Sequence, residues 1–207
     1  MGSAALNKAS TNAKMKKAVS RQTAKIATKI EKGKNKAFRE FIQEFKNHPV
    51  TREVAAGPSA SNISGTLGGY GNLFSFIGFE DGQNPTQTIE AYILNKLRQK
   101  VVLVPNARQG GWRVVVATPS LDDIATFTPI PWASGRSWVV GIHAGISGLG
   151  HYMYSSRGSR YNTRSGTAFQ VDANLRRGGF QNVPYMVPLL KSLQKKLGDQ
   201  VRIAVKV

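Results

Sequence analysis

Cysteine, acidic side chains and long apolar runs are all scarce in this sequence. Cysteine is absent, which excludes disulfides, thiol nucleophiles and cysteine-ligated zinc. No stretch approaches the ~18 apolar residues of a transmembrane helix, so no membrane partner is expected. The N-terminus is polar and basic and lacks the apolar segment of a signal peptide, so secretion is not indicated. Hydrophobic residues still make up 41% of the 207 positions, enough for one domain with a core.

The shortage of acidic residues leaves a strongly basic chain. Lys and Arg total 29 against 11 Asp and Glu, which gives a net charge of +18. Residues 1–47 carry twelve basic and three acidic side chains, and residues 157–207 carry ten and two, whereas 48–156 is nearly neutral. A chain of this kind is expected to have a polyanionic or strongly acidic neighbour.

The N-terminal part divides into an arm and a helix. Residues 1–18 are mostly Ala, Lys, Ser and Asn, a composition that predicts a basic flexible arm. From Val19 to Phe45, apolar residues recur at helical intervals, which predicts an amphipathic helix over 19–46. Gly33 is expected to bend or break this helix, and Pro49 to end it.

A segment rich in glycine and aromatic residues follows over 52–82. Its apolar side chains are too numerous for a solvated loop, so we expect a partly extended segment that lies either in the core or in a subunit interface. The side chains assigned to this class are Tyr70, Leu73, Phe74, Phe76 and Phe79, together with Tyr185 near the C-terminus.

The remaining sequence mixes helix and strand signals, which predicts an α+β fold. Asn84-Pro85 is typical of a helix start, and two β-branched runs predict a hairpin. A C-terminal helix is expected to stop at Gly198. Further predictions are a strand over 137–146, a loop over 155–182 and a closing strand over 201–207. The expected architecture is a long N-terminal helix, a mixed or antiparallel β-sheet core, and a C-terminal helix packed on the sheet.

The residues that could carry catalysis do not form a recognisable pattern. The histidines His48, His143 and His151 have no spacing that demands a metal site, although His143 could meet the Asp122-Asp123 pair. The glycines at 65–71 match neither a dinucleotide-binding fingerprint nor a P-loop. We therefore expect no enzyme activity, no catalytic or metal-binding residue and no cofactor.

The basic segments are the strongest functional signal. Phosphate contact by these side chains would be independent of base sequence, because no base-reading module is present. A solvated basic surface and docking onto acidic proteins stay open as alternatives. The candidate contact residues are Lys14, Lys16, Lys17, Arg21 and Lys25 in the N-terminal part, and Arg157, Arg160, Arg164, Arg176 and Arg177 in the predicted loop.

Three motifs and their order resemble those of the neck or tail-completion proteins of tailed bacteriophages, which join the DNA-filled head to the tail. After the long helix come Ser64-Gly65-Thr66-Leu67, then the strand end Gly150-His151-Tyr152-Met153-Tyr154, then Pro184-Tyr185-Met186-Val187-Pro188 at the start of the last helix. The resemblance implies that residues 19–207 form a single connector-type domain. Relative to the family, the chain carries an insert near 80–130.

The resemblance implies a non-enzymatic virion protein. Such a protein forms a homo-oligomeric ring, contacts portal or adaptor proteins on one side and tail-terminator or tail proteins on the other, and encloses genomic dsDNA without reading its sequence. Two rival hypotheses remain: a sequence-independent nucleic-acid-binding protein that acts alone, and a viral capsid protein whose basic arm packages the genome. The capsid hypothesis predicts a mainly β shell domain.

Overall fold

A computed structural model describes residues 3–69, 71–106, 111–131, 133–145 and 180–205. The predicted α+β class with a long N-terminal helix is confirmed. The helices are α1 (Ser3–Asn47), α2 (Pro49–Ala55), α3 (Leu73–Ile77), α4 (Pro85–Arg98), α5 (Leu121–Thr126), α6 (Trp138–Ala144) and α7 (Met186–Val205). The strands are β1 (Val102–Pro105), β2 (Trp112–Val115), β3 (Pro129–Ile130) and β4 (Ala133–Ser137).

Helix α1 is longer than the sequence predicted, and it is continuous. It begins at Ser3, so residues 3–18, for which a flexible arm was predicted, have helical backbone. This is consistent with their composition, because Ala and Lys favour helix. The helix also continues through Gly33, where a bend or break was expected. A Cβ at Gly33 would lie 2.8 Å from the Cβ of Gln200, so glycine allows α7 to approach α1 closely at this point.

Helix α7 packs antiparallel to α1, and not on a sheet as predicted. Lys196 pairs with Glu44 near the end of α1, whereas the later residue Gln200 meets the earlier Gly33. The two helices bury facing apolar stripes, which explains the pairing. The buried residues are Ile30, Ala37, Phe38, Phe41 and Phe45 on α1, and Leu189, Leu190, Leu193, Leu197 and Ala204 on α7.

Three local predictions in the C-terminal half are wrong. Helix α7 passes through Gly198 and includes most of the predicted strand 201–207, because burial of Ala204 outweighs the helix cost of one glycine. Most of the predicted strand 137–146 is helix α6. Its start is fixed by Ser137, whose Oγ accepts a hydrogen bond from the Val140 backbone N–H at 3.3 Å.

The strands form two separate two-stranded antiparallel sheets. The hairpin of β1 and β2 was predicted, and it pairs Val102 with Val115 and Pro105 with Trp112. Strands β3 and β4 pair less regularly, with a register shift at Pro129/Ile130. Most buried apolar side chains belong to helices, so the core lies between helices and the sheets lie at its edge.

The aromatic segment lies in the core of this chain. Leu73 and Phe74 are buried, and Phe76 and Phe79 are partly buried against the same cluster. The segment is helix α3 where some extended structure was expected, with the Asn72 side chain accepting a hydrogen bond from the Ser75 N–H. The prediction for Tyr70 lies outside the described residues.

A buried carboxylate holds the loop between α2 and α3. Glu53 is 0% exposed and accepts hydrogen bonds from the Leu73 N–H at 2.7 Å, the Ser64 N–H at 2.9 Å and the Asn62 side-chain amide at 2.8 Å. The Asn62 side-chain oxygen in turn accepts from the Leu67 N–H at 3.0 Å. The Ser-Gly-x-Leu motif is therefore folded around Glu53 and Asn62.

The Pro-Tyr-x-x-Pro motif is anchored to the junction of α1 and α2. Tyr185 is fully buried, and its hydroxyl lies 2.9 Å from the Thr51 hydroxyl. Burial raises the pKa of Tyr185 well above its ordinary value. The His48 Nδ1 accepts from the Val50 N–H, and its Nε2 donates to the Pro184 carbonyl at 3.2 Å. Burial also lowers the pKa of His48, so the neutral ring favoured here is the form that this pair of hydrogen bonds requires.

Candidate polyanion-binding surface

One face of α1 carries a continuous row of cations. Its members are three or four residues apart, so they lie on one side of an α-helix, opposite the buried face. All are exposed, and from first to last they extend about 37 Å at the rise of an α-helix. We call this row the basic stripe; it consists of Lys14, Lys17, Arg21, Lys25, Lys29, Lys32, Lys36 and Arg39.

Within the part of the chain that the structure describes, no member of the basic stripe forms an ion pair. The ion pairs of α1 involve other positions: Glu31 pairs with Lys34 of the same helix, Glu40 and Glu44 pair with Lys196 of α7, and Lys46 pairs with Glu90 of α4. The three acidic residues of α1 therefore pair with cations outside the basic stripe. Among the described residues, no ion pair neutralises the basic stripe, which makes it a candidate surface for a polyanion.

A basic groove lies beside the middle of the stripe. It has a volume of about 590 Å³ and runs between α1 and the end of α4. Lys32 and Arg39 of the basic stripe line one side, and Arg98 and Lys100 line the other. Four cations from two parts of the chain thus converge on one concave surface.

The wall of the basic groove is fixed by a buried lysine. Lys34 is 1% exposed, and its Nζ pairs with Glu31 at 2.6 Å and donates to the Gln99 carbonyl at 2.5 Å. Glu31 also accepts a hydrogen bond from the Val101 N–H at 2.9 Å. Burial opposes ionisation of Glu31, but the hydrogen bonds from Lys34 and Val101 outweigh it and lower the pKa of the carboxyl.

The predicted contact residues divide into three groups. Lys14, Lys17, Arg21 and Lys25 are exposed and belong to the basic stripe. Lys16 lies in α1, but its side chain is outside the described part. The predictions for Arg157, Arg160, Arg164, Arg176 and Arg177 fall outside the described residues.

Sequence reasoning missed the second half of the basic stripe and the basic groove. Lys32, Lys36 and Arg39 continue the spacing of the earlier cations, but the break expected at Gly33 hid this continuity. Arg98 and Lys100 are distant in sequence from α1, and only the packing of α4 beside α1 brings them to it.

The histidine and acidic side chains singled out in the sequence do not come together in the described residues. Among them, no group of three or more His, Asp or Glu side chains is placed to bind a metal ion. His143 is exposed, and Asp123 instead accepts a hydrogen bond from the Tyr92 hydroxyl at 2.5 Å and pairs with Lys96 at 3.6 Å. The hydrogen bond from Tyr92 lowers the pKa of Asp123, as expected for a link between α4 and α5. No helix of the described ranges combines the length and apolar character of a membrane span.

Comparison with known proteins identifies no relative. No protein-family model matches the chain, and neither a curated protein nor a solved structure matches it significantly.

Proposed function

We propose that this protein is a non-enzymatic structural protein of a tailed-phage virion that forms a ring in the neck, between the head or portal and the tail, and lets DNA pass. The observation that carries the proposal is the basic stripe on a helix whose opposite face is part of the core. The order of the Ser-Gly-x-Leu and Pro-Tyr-x-x-Pro motifs adds the resemblance to phage neck proteins.

The basic stripe has the properties needed to contact DNA without reading its sequence. Lys and Arg on one helix face can neutralise phosphates of a single backbone, and such contacts carry no base information. A channel through which a whole genome moves should not read bases, and contacts of this kind are compatible with that demand. The near-neutral charge of residues 48–156 leaves this middle part of the chain free to contact other proteins.

The β1–β2 hairpin supports self-association. A two-stranded hairpin is only marginally stable in water by itself. Here it exposes Val102, Trp112 and Val115, with 53%, 47% and 40% of their surface accessible. An adjacent subunit in a ring would cover these side chains and pair with an open strand edge.

Locating the protein in virions tests the proposal. Particles from the phage that encodes the chain are purified by density gradient, and the protein is labelled with antibody and gold for electron microscopy. We expect one cluster of label at the head–tail junction. Absence from virions would overturn the proposal, and label over the whole head would favour the capsid hypothesis instead.

The basic stripe also supports the second candidate, a sequence-independent nucleic-acid-binding protein that acts alone. A monomer that binds short DNA tightly, with a steep dependence on salt, and is absent from virions would favour it. The capsid hypothesis is less well supported, since it predicts a mainly β shell and the described residues are mostly helical.

A further inference from the structure

We infer that the basic groove between α1 and the end of α4 is a binding site for the phosphodiester backbone of duplex DNA, where Arg98 and Lys100 hold phosphates that the basic stripe guides along α1. This inference deepens the proposed function, on which it rests for the identity of the DNA. It names residues of α4 and its following loop as phosphate ligands, although nothing in their sequence context marks them.

The convergence of cations is the first argument. Lys32 and Arg39 lie on one wall and Arg98 and Lys100 on the other, so a phosphate in the groove would be approached from two sides. The clustered cations repel one another in the free protein, and a bound phosphate would relieve that repulsion. Phosphate binding is therefore most favourable where the cations are already close together.

The negative charge in the groove is compensated within the protein. Two groups there would repel a phosphate: the Glu31 carboxylate, and the carbonyl end of α4, where the helix dipole is negative. The buried ammonium of Lys34 contacts both, since it pairs with Glu31 and donates to the Gln99 carbonyl. Lys34 is therefore a positioning residue: its ammonium neutralises the Glu31 carboxylate, so Arg98 and Lys100 give this wall a net positive charge.

The surrounding side chains favour duplex DNA over other polyanions. None of the residues that line the groove is aromatic, so it offers no surface on which the bases of a single strand could stack. Its apolar lining is limited to Ala27, Leu97 and Val101, which provides no deep pocket for the anchor residues typical of protein partners. The adjoining basic stripe instead suits a long, regularly charged ligand.

Salt titration of DNA binding tests the inference. Full-length protein is titrated against a fluorescent mixed-sequence duplex of about 20 base pairs at KCl concentrations from about 50 to 200 mM. The groove variant is Arg98→Ala/Lys100→Ala. The matched control is Lys191→Ala/Lys195→Ala, which removes the same charge from exposed positions of α7. Thermal melts establish that both variants are folded.

We expect the groove variant to lose affinity about tenfold or more and its slope of log K against log salt to become shallower by about 2, one for each lost phosphate contact. The control variant should stay close to the wild type. Equal DNA affinities and equal salt slopes for the groove and control variants would overturn the inference. So would a groove variant that loses affinity for poly-glutamate while it binds DNA normally, since that result would assign the groove to acidic proteins.

The outcome is independent of virion location. If gold label is absent from the neck but the groove variant loses DNA affinity, the groove assignment stands and the neck proposal fails. If the label marks the neck but the groove variant binds DNA normally, the neck proposal stands and the groove assignment fails.

Discussion

Replacing Glu53 should be among the most damaging single changes in this protein. The carboxylate is fully buried and accepts hydrogen bonds from the Leu73 and Ser64 backbone N–H groups and the Asn62 amide. In Glu53→Ala, both backbone donors lose their acceptor inside the protein, at about 1–3 kcal/mol each. With the lost contact to Asn62, we expect a decrease of about 3–5 kcal/mol in the free energy of unfolding, a large part of the stability of a typical domain.

Glu53→Gln is the matched control, because it keeps the shape and one acceptor. The Oε1 that serves Leu73 and Asn62 can be retained, whereas the new amide group would face the Ser64 N–H with a second donor. We expect a loss of about 1–2 kcal/mol. Stability should therefore decrease from the wild type to Glu53→Gln and again to Glu53→Ala, because fewer of the three donors keep an acceptor at each step.

Urea denaturation followed by tryptophan fluorescence measures both variants, because Trp138 is 1% exposed in the folded chain. A two-state fit gives the free energy of unfolding and the m-value. A loss below about 1 kcal/mol for Glu53→Ala would refute the reasoning, since it would mean that water or another group satisfies the donors. Equal losses for Ala and Gln would show that the charge, and not the acceptor geometry, supports the loop.

Three further changes test other contacts. Gly33→Ala should destabilise the protein despite the better helix propensity of alanine, because its Cβ would lie 2.8 Å from the Cβ of Gln200. Adding Gln200→Gly should restore stability in urea denaturation. If the second substitution gives no rescue, the close approach of the two helices is contradicted. Burial raises the pKa of Tyr185, so at alkaline pH the folded state holds a proton that the unfolded state releases. The free energy of unfolding should therefore fall as pH rises above about 10. Tyr185→Phe should make this pH dependence shallower in urea titrations at alkaline pH. Lys34→Met should lower the free energy of unfolding by about 2 kcal/mol, a moderate value because its partner Glu31 remains 32% exposed. An unchanged midpoint of chemical denaturation would show that the buried pair adds no stability.

Local signals predicted the elements whose boundaries depend on neighbouring residues in sequence. Helix α4 begins at Pro85, directly after Asn84, as the pair indicated. The β1–β2 hairpin was also predicted. A local signal likewise starts α5, where the Ser120 hydroxyl accepts a hydrogen bond from the Asp123 N–H at 3.0 Å. In these places local propensity and tertiary packing favour the same structure.

Prediction failed where distant contacts decide. Glycine at 33 and 198 suggested interruptions, but the packing of α1 against α7 keeps both helices continuous. The same error hid part of the candidate site, because the basic stripe is continuous only if α1 does not break. The basic groove could not be predicted at all, since Arg98 and Lys100 reach it through the packing of α4 on α1.

The basic stripe links the stability of the molecule to its proposed contact with DNA. Like charges four residues apart on a helix disfavour it by about 0.2–0.5 kcal/mol per pair, and Lys17, Arg21, Lys25 and Lys29 form a series of such pairs on α1. The phenylalanines on the opposite side of α1 must offset this repulsion. Substitutions that remove these cations would stabilise the helix but would weaken the proposed contact with DNA, so natural selection is expected to keep α1 at a compromise between stability and binding.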